Sequence, residues 1–220
     1  MKITKDEIIK ILKDTAVIFA ITLVAGLGLG FVYELTKDPI AKQEAQAQAD
    51  ACNEVFKEVG AEGKLETKVE LTFNQIDVDE AVSAKLVEEG YTGAYIDSLY
   101  EAKLADGTLY GYVIGVTSKE GYGGNISFYM GITSDDILKG ISILSISETP
   151  GLGMNAPTVL VPQFRNKKLE EFTVVKTGAL SSNEIDAITS ATITSNAVTG
   201  GVNTGVRFYQ IMNEGGSDNE

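Results

Sequence analysis

The chain has 220 residues, 44% hydrophobic and 22% charged, with a net charge of −13. This is the composition of a folded protein of one ordinary domain plus further elements, and an acidic body repels phosphate backbones, which argues against a nucleic-acid partner. With no histidine and one cysteine, Cys52, the chain excludes Ser-His-Asp and Cys-His catalysis, histidine or cysteine metal sites and an internal disulfide. No catalytic or metal-ligating side chains are expected, and any redox chemistry must come from a cofactor.

The first 36 residues hold four basic and four acidic side chains, so the whole acidic excess lies beyond them. Within them, Thr15 to Tyr33 is a run of nineteen residues without a charge. At ~1.5 Å per residue a helix of this length covers roughly the 30 Å hydrocarbon core of a bilayer. A cleaved signal peptide has a shorter apolar region, and "ADAC" ending at Cys52 lies too far downstream for a lipoprotein site, so an uncleaved anchor over 15–36 is expected. Lys2, Lys5, Lys10 and Lys13 precede the run, while only Lys37 and Lys42 follow closely. The lysine bias predicts a single-pass protein of the inner or plasma membrane, in contact with lipid. Residues 1–14 are then cytoplasmic and residues from about 37 onward face the outer side. Gly26, Gly28 and Gly30 suit close contact with other membrane helices.

Asp38-Pro39 reads as a helix start, opening "IAKQEAQAQADACNEVFKEVG", which Gly60 ends. Residues 61–90 are ambiguous, with a short strand ("KVELTF") and a short helix ("VDEAVSAKLVEEG") as candidates. From Ala94 the pattern turns to strands. "AYIDSLYEAKLA" and "TLYGYVIGVTS" flank the Asp106-Gly107 turn, and "NISFYMGIT" and "LKGISILSIS" follow, which predicts an antiparallel meander. "FTVVKT" reads as a fifth strand. "SNAVTGGVNTGVRFYQIM" reads as a terminal helix with Val198, Val202, Val206, Tyr209 and Met212 on one stripe. Gly201 and Gly205 let it approach its neighbour closely. The tail from residue 214 reads as disordered. The expected fold is α+β: an N-terminal transmembrane helix, a helical connecting region over 37–90, and an exported domain over 91–213 built on a twisted antiparallel sheet with packed helices.

Three stretches carry candidate chemistry. "DAITSATITSNAV", 186–198, packs Asp186, Thr189, Ser190, Thr192, Thr194 and Ser195 around the start of the terminal helix, expected near Thr194 or Ser195. Such an end has unpartnered N–H groups and a partial positive charge, a ready place for a phosphate; the alternative is that Thr194 or Ser195 merely caps the helix. "SETPGLGMN", 147–155, places Glu148, Thr149, Gly151, Leu152 and Gly153 in a tight turn after a strand, and "EGYGGNI" surrounds Tyr122 with glycines. Either is also compatible with an ordinary loop.

"DAITSAT" at 186–192 resembles the flavin-transfer motif of the FMN-binding domain family, whose last threonine, here Thr192, is esterified to the FMN phosphate by a dedicated flavin transferase. "ETPGLG" at 148–153 resembles that family's loop lining the isoalloxazine ring. The anchor, both motifs in this order and the length are similar to the G subunit of Rnf ion-translocating electron-transport complexes; the C subunit of the sodium-pumping NADH:quinone reductases is similar but usually longer. Ser190 stands where glycine is more frequent, and Ile146 where many relatives have a histidine.

The resemblance implies a membrane-anchored electron-carrier protein, not a self-sufficient enzyme, with FMN covalently held through Thr192. It would be matured by a flavin transferase and would work with other membrane subunits of a complex moving electrons between ferredoxin and NAD. It further implies that Asp186, Thr189, Ser190 and Ala191 frame the attachment point. On this resemblance Glu148 and Thr149 are candidates for hydrogen bonds to the ring, Leu152 and Tyr122 for packing on it, and the backbone at Gly151 and Gly153 for further donors. Two other readings remain: a stand-alone anchored FMN protein feeding an extracellular reductase, and a cofactor-free extracellular binding module.

Overall fold

The computed structural model describes residues 5–60 and 64–216. Residues up to Gln46 form one compact unit and residues from Ala47 another. The first helix, α1, spans Lys5–Glu54. In the first unit its stretch Ile9–Ile40 is long and apolar enough to cross a membrane, and none of it is buried. Threonines along it bond back to the helix's own carbonyls. Thr15 Oγ1 donates to the Ile11 carbonyl at 2.8 Å, and Thr36 Oγ1 to that of Val32 at 2.9 Å. Nothing polar is thus left over on this surface at those positions, as a hydrocarbon environment demands. Pro39 lies inside α1 and does not open a new helix after Asp38. The chain therefore corrects the expected break: the proline forfeits one backbone hydrogen bond without ending the helix.

The second unit is built on a six-stranded antiparallel sheet. Its strands are β3 (Thr72–Ile76), β4 (Ala94–Lys103), β5 (Leu109–Ser118), β6 (Ile126–Thr133), β7 (Ile137–Ser145) and β8 (Lys167–Lys168), in that spatial order. The predicted meander is β4 to β7. Alternation sorts its side chains onto two faces. Val116, Phe128, Met130 and Ile141 belong to one core cluster, while Val113 and Tyr129 belong to a second one with Ala51, Cys52, Val55 and Phe56. The first face carries the terminal helix, α4, over Thr192–Gly216. Val198, Val202, Val206 and Tyr209 are all buried, so the predicted stripe is the packed one. A Cβ at Gly205 would run into the Met130 sulfur, so glycine lets the helix approach without displacing that side chain. Burial of Cys52 pushes its thiol pKa up to about 12, making it a core side chain and not a reactive one.

Four further expectations change. The second unit's share of α1 stops at Glu54, not Gly60, because Val55 and Phe56 turn into the core and Glu58–Val59 forms a strand, β1, paired with β2 (Leu65–Glu66). The strand expected at 68–73 is β3, a few residues later, followed by helix α2 (Glu80–Glu88). "FTVVKT" supplies β9 (Thr173–Val175), which does not join the main sheet; it pairs in parallel with β10 (Glu184–Asp186). The cause is a side chain of α4. Asn203 accepts from the Phe172 N–H and donates to the Phe172 carbonyl, both at 2.9 Å, and pins this segment to the helix. Finally, α4 continues to Gly216 where a disordered tail from 214 was expected; residues 217–220 of that tail lie outside the described residues, as do 61–63 of the ambiguous stretch and Lys2 of the lysine bias.

Candidate functional site

Three loops converge on a cleft of about 570 Å³. The β5–β6 loop brings Tyr122, whose ring is 71% exposed. The turn after β7 brings Glu148, Thr149, Leu152 and Gly153. The start of α4 brings Ser190, Ala191 and Thr192, together with Ile193 and Thr194.

Each segment is positioned for a local reason. After β7 the chain reverses on bonds from the Leu152 and Met154 N–H groups to the Thr149 carbonyl, at 3.1 and 3.3 Å. Gly153 then lies against its neighbours: a Cβ there would stand 2.8 Å from Glu148 Cβ and 2.5 Å from Thr194 Oγ1. Before α4, Ser190 takes a φ of +62°, the left-handed region that favours glycine. Ser195 secures this bend, accepting from the Ile188 N–H at 3.0 Å and donating to the Ala191 carbonyl at 2.9 Å.

The helix begins at Thr192, two to three residues earlier than expected, so Thr192 is its first residue and not a residue just outside it. The capping alternative also falls. The Thr194 hydroxyl donates to Glu148 Oε2 at 3.0 Å, and Ser195 serves the preceding bend. The first backbone N–H bonded back across the turn is that of Ser195, to Ala191. No hydroxyl here caps the N–H groups of Thr192, Ile193 and Thr194, and the first turn has no acidic residue. The exposed Thr192 hydroxyl has no protein hydrogen bond among the described residues.

Some predicted site residues stand elsewhere. Asp186 closes β10, where Oδ1 accepts from the Ala179 N–H at 3.0 Å; Gln163 grips its backbone at 2.8 and 3.1 Å. It orders the approach to the motif and does not line the cleft. Thr189 and Gly151 are exposed beside the cleft, outside its lining. Ile193 is a lining residue that the sequence reading did not single out, and Thr194, read there as one of the helix-start hydroxyls and a possible cap, lines the cleft as well. Ile193, 53% exposed, adds an apolar surface; an apolar residue at an exposed position of a first helical turn was the available signal.

The fold and the cleft define an α+β domain that presents an uncapped helix N-terminus and an unpartnered hydroxyl to a partly apolar groove. A family model described as the FMN-binding domain matches residues 121–207, which contain all three cleft stretches, and one described as the RnfG N-terminal region matches residues 1–55. The G subunit of the Na(+)-translocating ferredoxin:NAD(+) oxidoreductase complex of Acetobacterium woodii is 33% identical over 201 residues, covering 90% of this chain and 91% of that one. The G subunit of the proton-translocating complex of Clostridium ljungdahlii is 33% identical over 202 residues, covering 88% and 92%. A crystal structure of Shewanella oneidensis NqrC matches with a TM-score of 0.46 and 23% identity over 52% of this chain and 60% of that one. The chain belongs to the RnfG family, the G subunits of ion-translocating ferredoxin:NAD oxidoreductase complexes, and carries an FMN-binding domain.

The residues fit FMN. Its phosphate needs donors and positive potential, which the α4 end offers. Its flat ring needs apolar surface, which Tyr122, Leu152 and Ile193 offer.

Proposed function

We propose that this chain is a membrane-anchored electron-transfer component of an Rnf-type complex, holding FMN covalently through a phosphoester at Thr192. The observation that carries the reading is the Thr192 hydroxyl: exposed, without a hydrogen-bond partner among the described residues, and set in the first turn of α4 at the mouth of the cleft. A phosphodiester at this place keeps one negative charge beside the unpartnered N–H groups of Thr192, Ile193 and Thr194. Bound FMN supplies the redox chemistry, which no side chain of this chain provides. The chain's own residues bind and orient. The Ser190 bend presents Thr192 to the flavin transferase, Tyr122 and Leu152 bracket the ring, and Asp186 with Gln163 holds the loop in register.

The Ile9–Ile40 stretch anchors the domain in lipid with the N-terminus cytoplasmic and the FMN domain outside, following the lysine bias. Covalent attachment suits that side, where lost FMN is not replaced from the cytoplasmic pool. Partner subunits are drawn from the same complex, as the names of the relatives suggest.

The test is coexpression with a flavin transferase, complete denaturation, and in-gel flavin fluorescence. A fluorescent wild-type band and a dark Thr192→Ala band are expected. A dark wild-type band, with the transferase active on a control protein, overturns the reading and favours a cofactor-free binding module.

A further inference from the structure

Glu148 is the single charged residue among those lining the cleft. The stretches 121–134, 149–164 and 187–206, which supply the rest of its walls, contain no Asp, Glu, Lys or Arg. In a chain of net charge −13, this carboxylate is an exception inside a neutral region.

Its contacts reach every wall. Oε1 accepts from the Gly123 N–H at 3.1 Å, in the β5–β6 loop that carries Tyr122. Oε2 accepts from the Thr194 hydroxyl at 3.0 Å, in the first turn of α4. Its own turn folds back so that a Cβ on Gly153 would lie 2.8 Å from Oε2. The residue is only 8% exposed. Two donors facing the oxygens, with no ion pair to Glu148 among the described residues, is the pattern of an anion held by hydrogen bonds. Its field is therefore felt by whatever occupies the cleft, since the buried carboxylate itself is little screened by solvent.

We propose that Glu148 is a charged positioning residue: it fastens the three walls of the cleft together and sets a fixed negative charge beside the flavin ring, lowering the ring's reduction potential. This rests on the reading that FMN occupies the cleft. An electron given up by a reduced carrier in a neighbouring subunit, which is oxidised in doing so, adds negative charge next to this carboxylate. The like charge opposes its arrival and favours its departure to the next acceptor. Both carboxylate oxygens already serve the walls, so the role differs from the ring hydrogen bond expected from the sequence.

The full-length chain, coexpressed with a flavin transferase and purified in detergent, is examined in two separate ways: fluorescence of the denatured band, and midpoint potential by spectroelectrochemical titration. In Glu148→Gln the amide oxygen accepts from Gly123 and the amide nitrogen donates to the Thr194 hydroxyl oxygen. Both clamp bonds persist and only the charge goes; the midpoint moves upward. Glu148→Asp keeps the charge on a side chain one methylene shorter, so its midpoint stays near the wild-type value while its denaturation midpoint falls. Equal potentials in wild type and the Gln variant overturn the proposal, as does an equal upward shift in the Asp variant. If the Gln variant does not accumulate, Thr194→Val carries the test. It retains the charge and loses one clamp bond, so lowered stability with unchanged potential is expected, and an upward shift overturns the proposal. A wild-type band without fluorescence removes the flavin reading itself, and this inference with it, before any potential is compared.

Discussion

Two helices of the second unit begin in opposite ways. At α2, Asp79 accepts from the Ala81 N–H at 2.8 Å and Glu80 adds an acidic side chain in the first turn, so the unpartnered N–H groups and the macrodipole are both answered from within the chain. At α4 the residue before the helix is Ala191, the first turn has no acidic group, and the nearby hydroxyls serve other segments: Thr194 binds Glu148 and Ser195 the preceding bend. A hydroxyl-rich start is commonly read as a well-capped one. Here the hydroxyls build the surroundings and leave the helix end open. The difference teaches that a hydroxyl-rich start need not be a capped one, and an end left open in this way suits the external phosphate proposed for it.

The largest expected effect comes from removing that brace. Gly153→Ala forces a Cβ to within 2.8 Å of Glu148 and 2.5 Å of Thr194 Oγ1. Overpacking of this kind destabilises by about 1–3 kcal/mol. Urea denaturation of the full-length chain reads the loss, and an unchanged midpoint would show that the walls give way easily. Asp79→Ala removes the α2 cap and lowers stability by about 1 kcal/mol, with attached flavin unaltered, because no residue of α2 lines the cleft. A loss of flavin in that variant would erase the distinction between the two helix starts. Ile193→Glu makes α4 resemble α2. It stabilises the flavin-free helix by about 0.3–1 kcal/mol through the macrodipole. The same carboxylate competes with the phosphate for the same potential, so flavin loading falls roughly fivefold, about the ratio that 1 kcal/mol represents. Fluorescence per mole of protein and thermal melting of the unloaded chain must move in opposite directions.

How much of this is legible in the sequence follows from the range of the forces involved. The meander β4–β7 is legible because alternation and the Asp106-Gly107 turn are local signals. The buried stripe of α4 is legible for the same reason. The placement of β9 is not, since it depends on Asn203 reaching the backbone of Phe172, 31 residues away. The end of α1 is not either. Val55-Phe56-Lys57 has ordinary helical propensity, and burial of Val55 and Phe56 against the second sheet face overrides it. At the site, the motif stretches announce themselves by glycines and hydroxyls, and Thr192 and Gly153 from them both line the cleft. The bond between Thr194 and Glu148 spans 46 residues and leaves no local trace. Asp186 and Thr189 share the motif with Thr192 yet not its surroundings, because the Ser190 bend turns the chain between them.

That bend supports the smallest prediction. Ser190 holds φ at +62°, where an L side chain is disfavoured by about 1–2 kcal/mol relative to the right-handed region. Its hydroxyl is exposed and bonds to nothing among the described residues, so no interaction within the protein compensates for the conformation. Ser190→Gly relieves the backbone but widens the unfolded ensemble, which takes back roughly 0.5–1 kcal/mol. The net expectation is a gain of about 0.5 kcal/mol in the flavin-free chain, visible as a rise of about 1–2 °C in melting temperature. A fall in melting temperature would mean that the serine side chain contributes to the folded bend. The left-handed turn would then be stabilised by the residue and not tolerated in spite of it. A rise means that the left-handed turn is tolerated at a cost to the flavin-free chain.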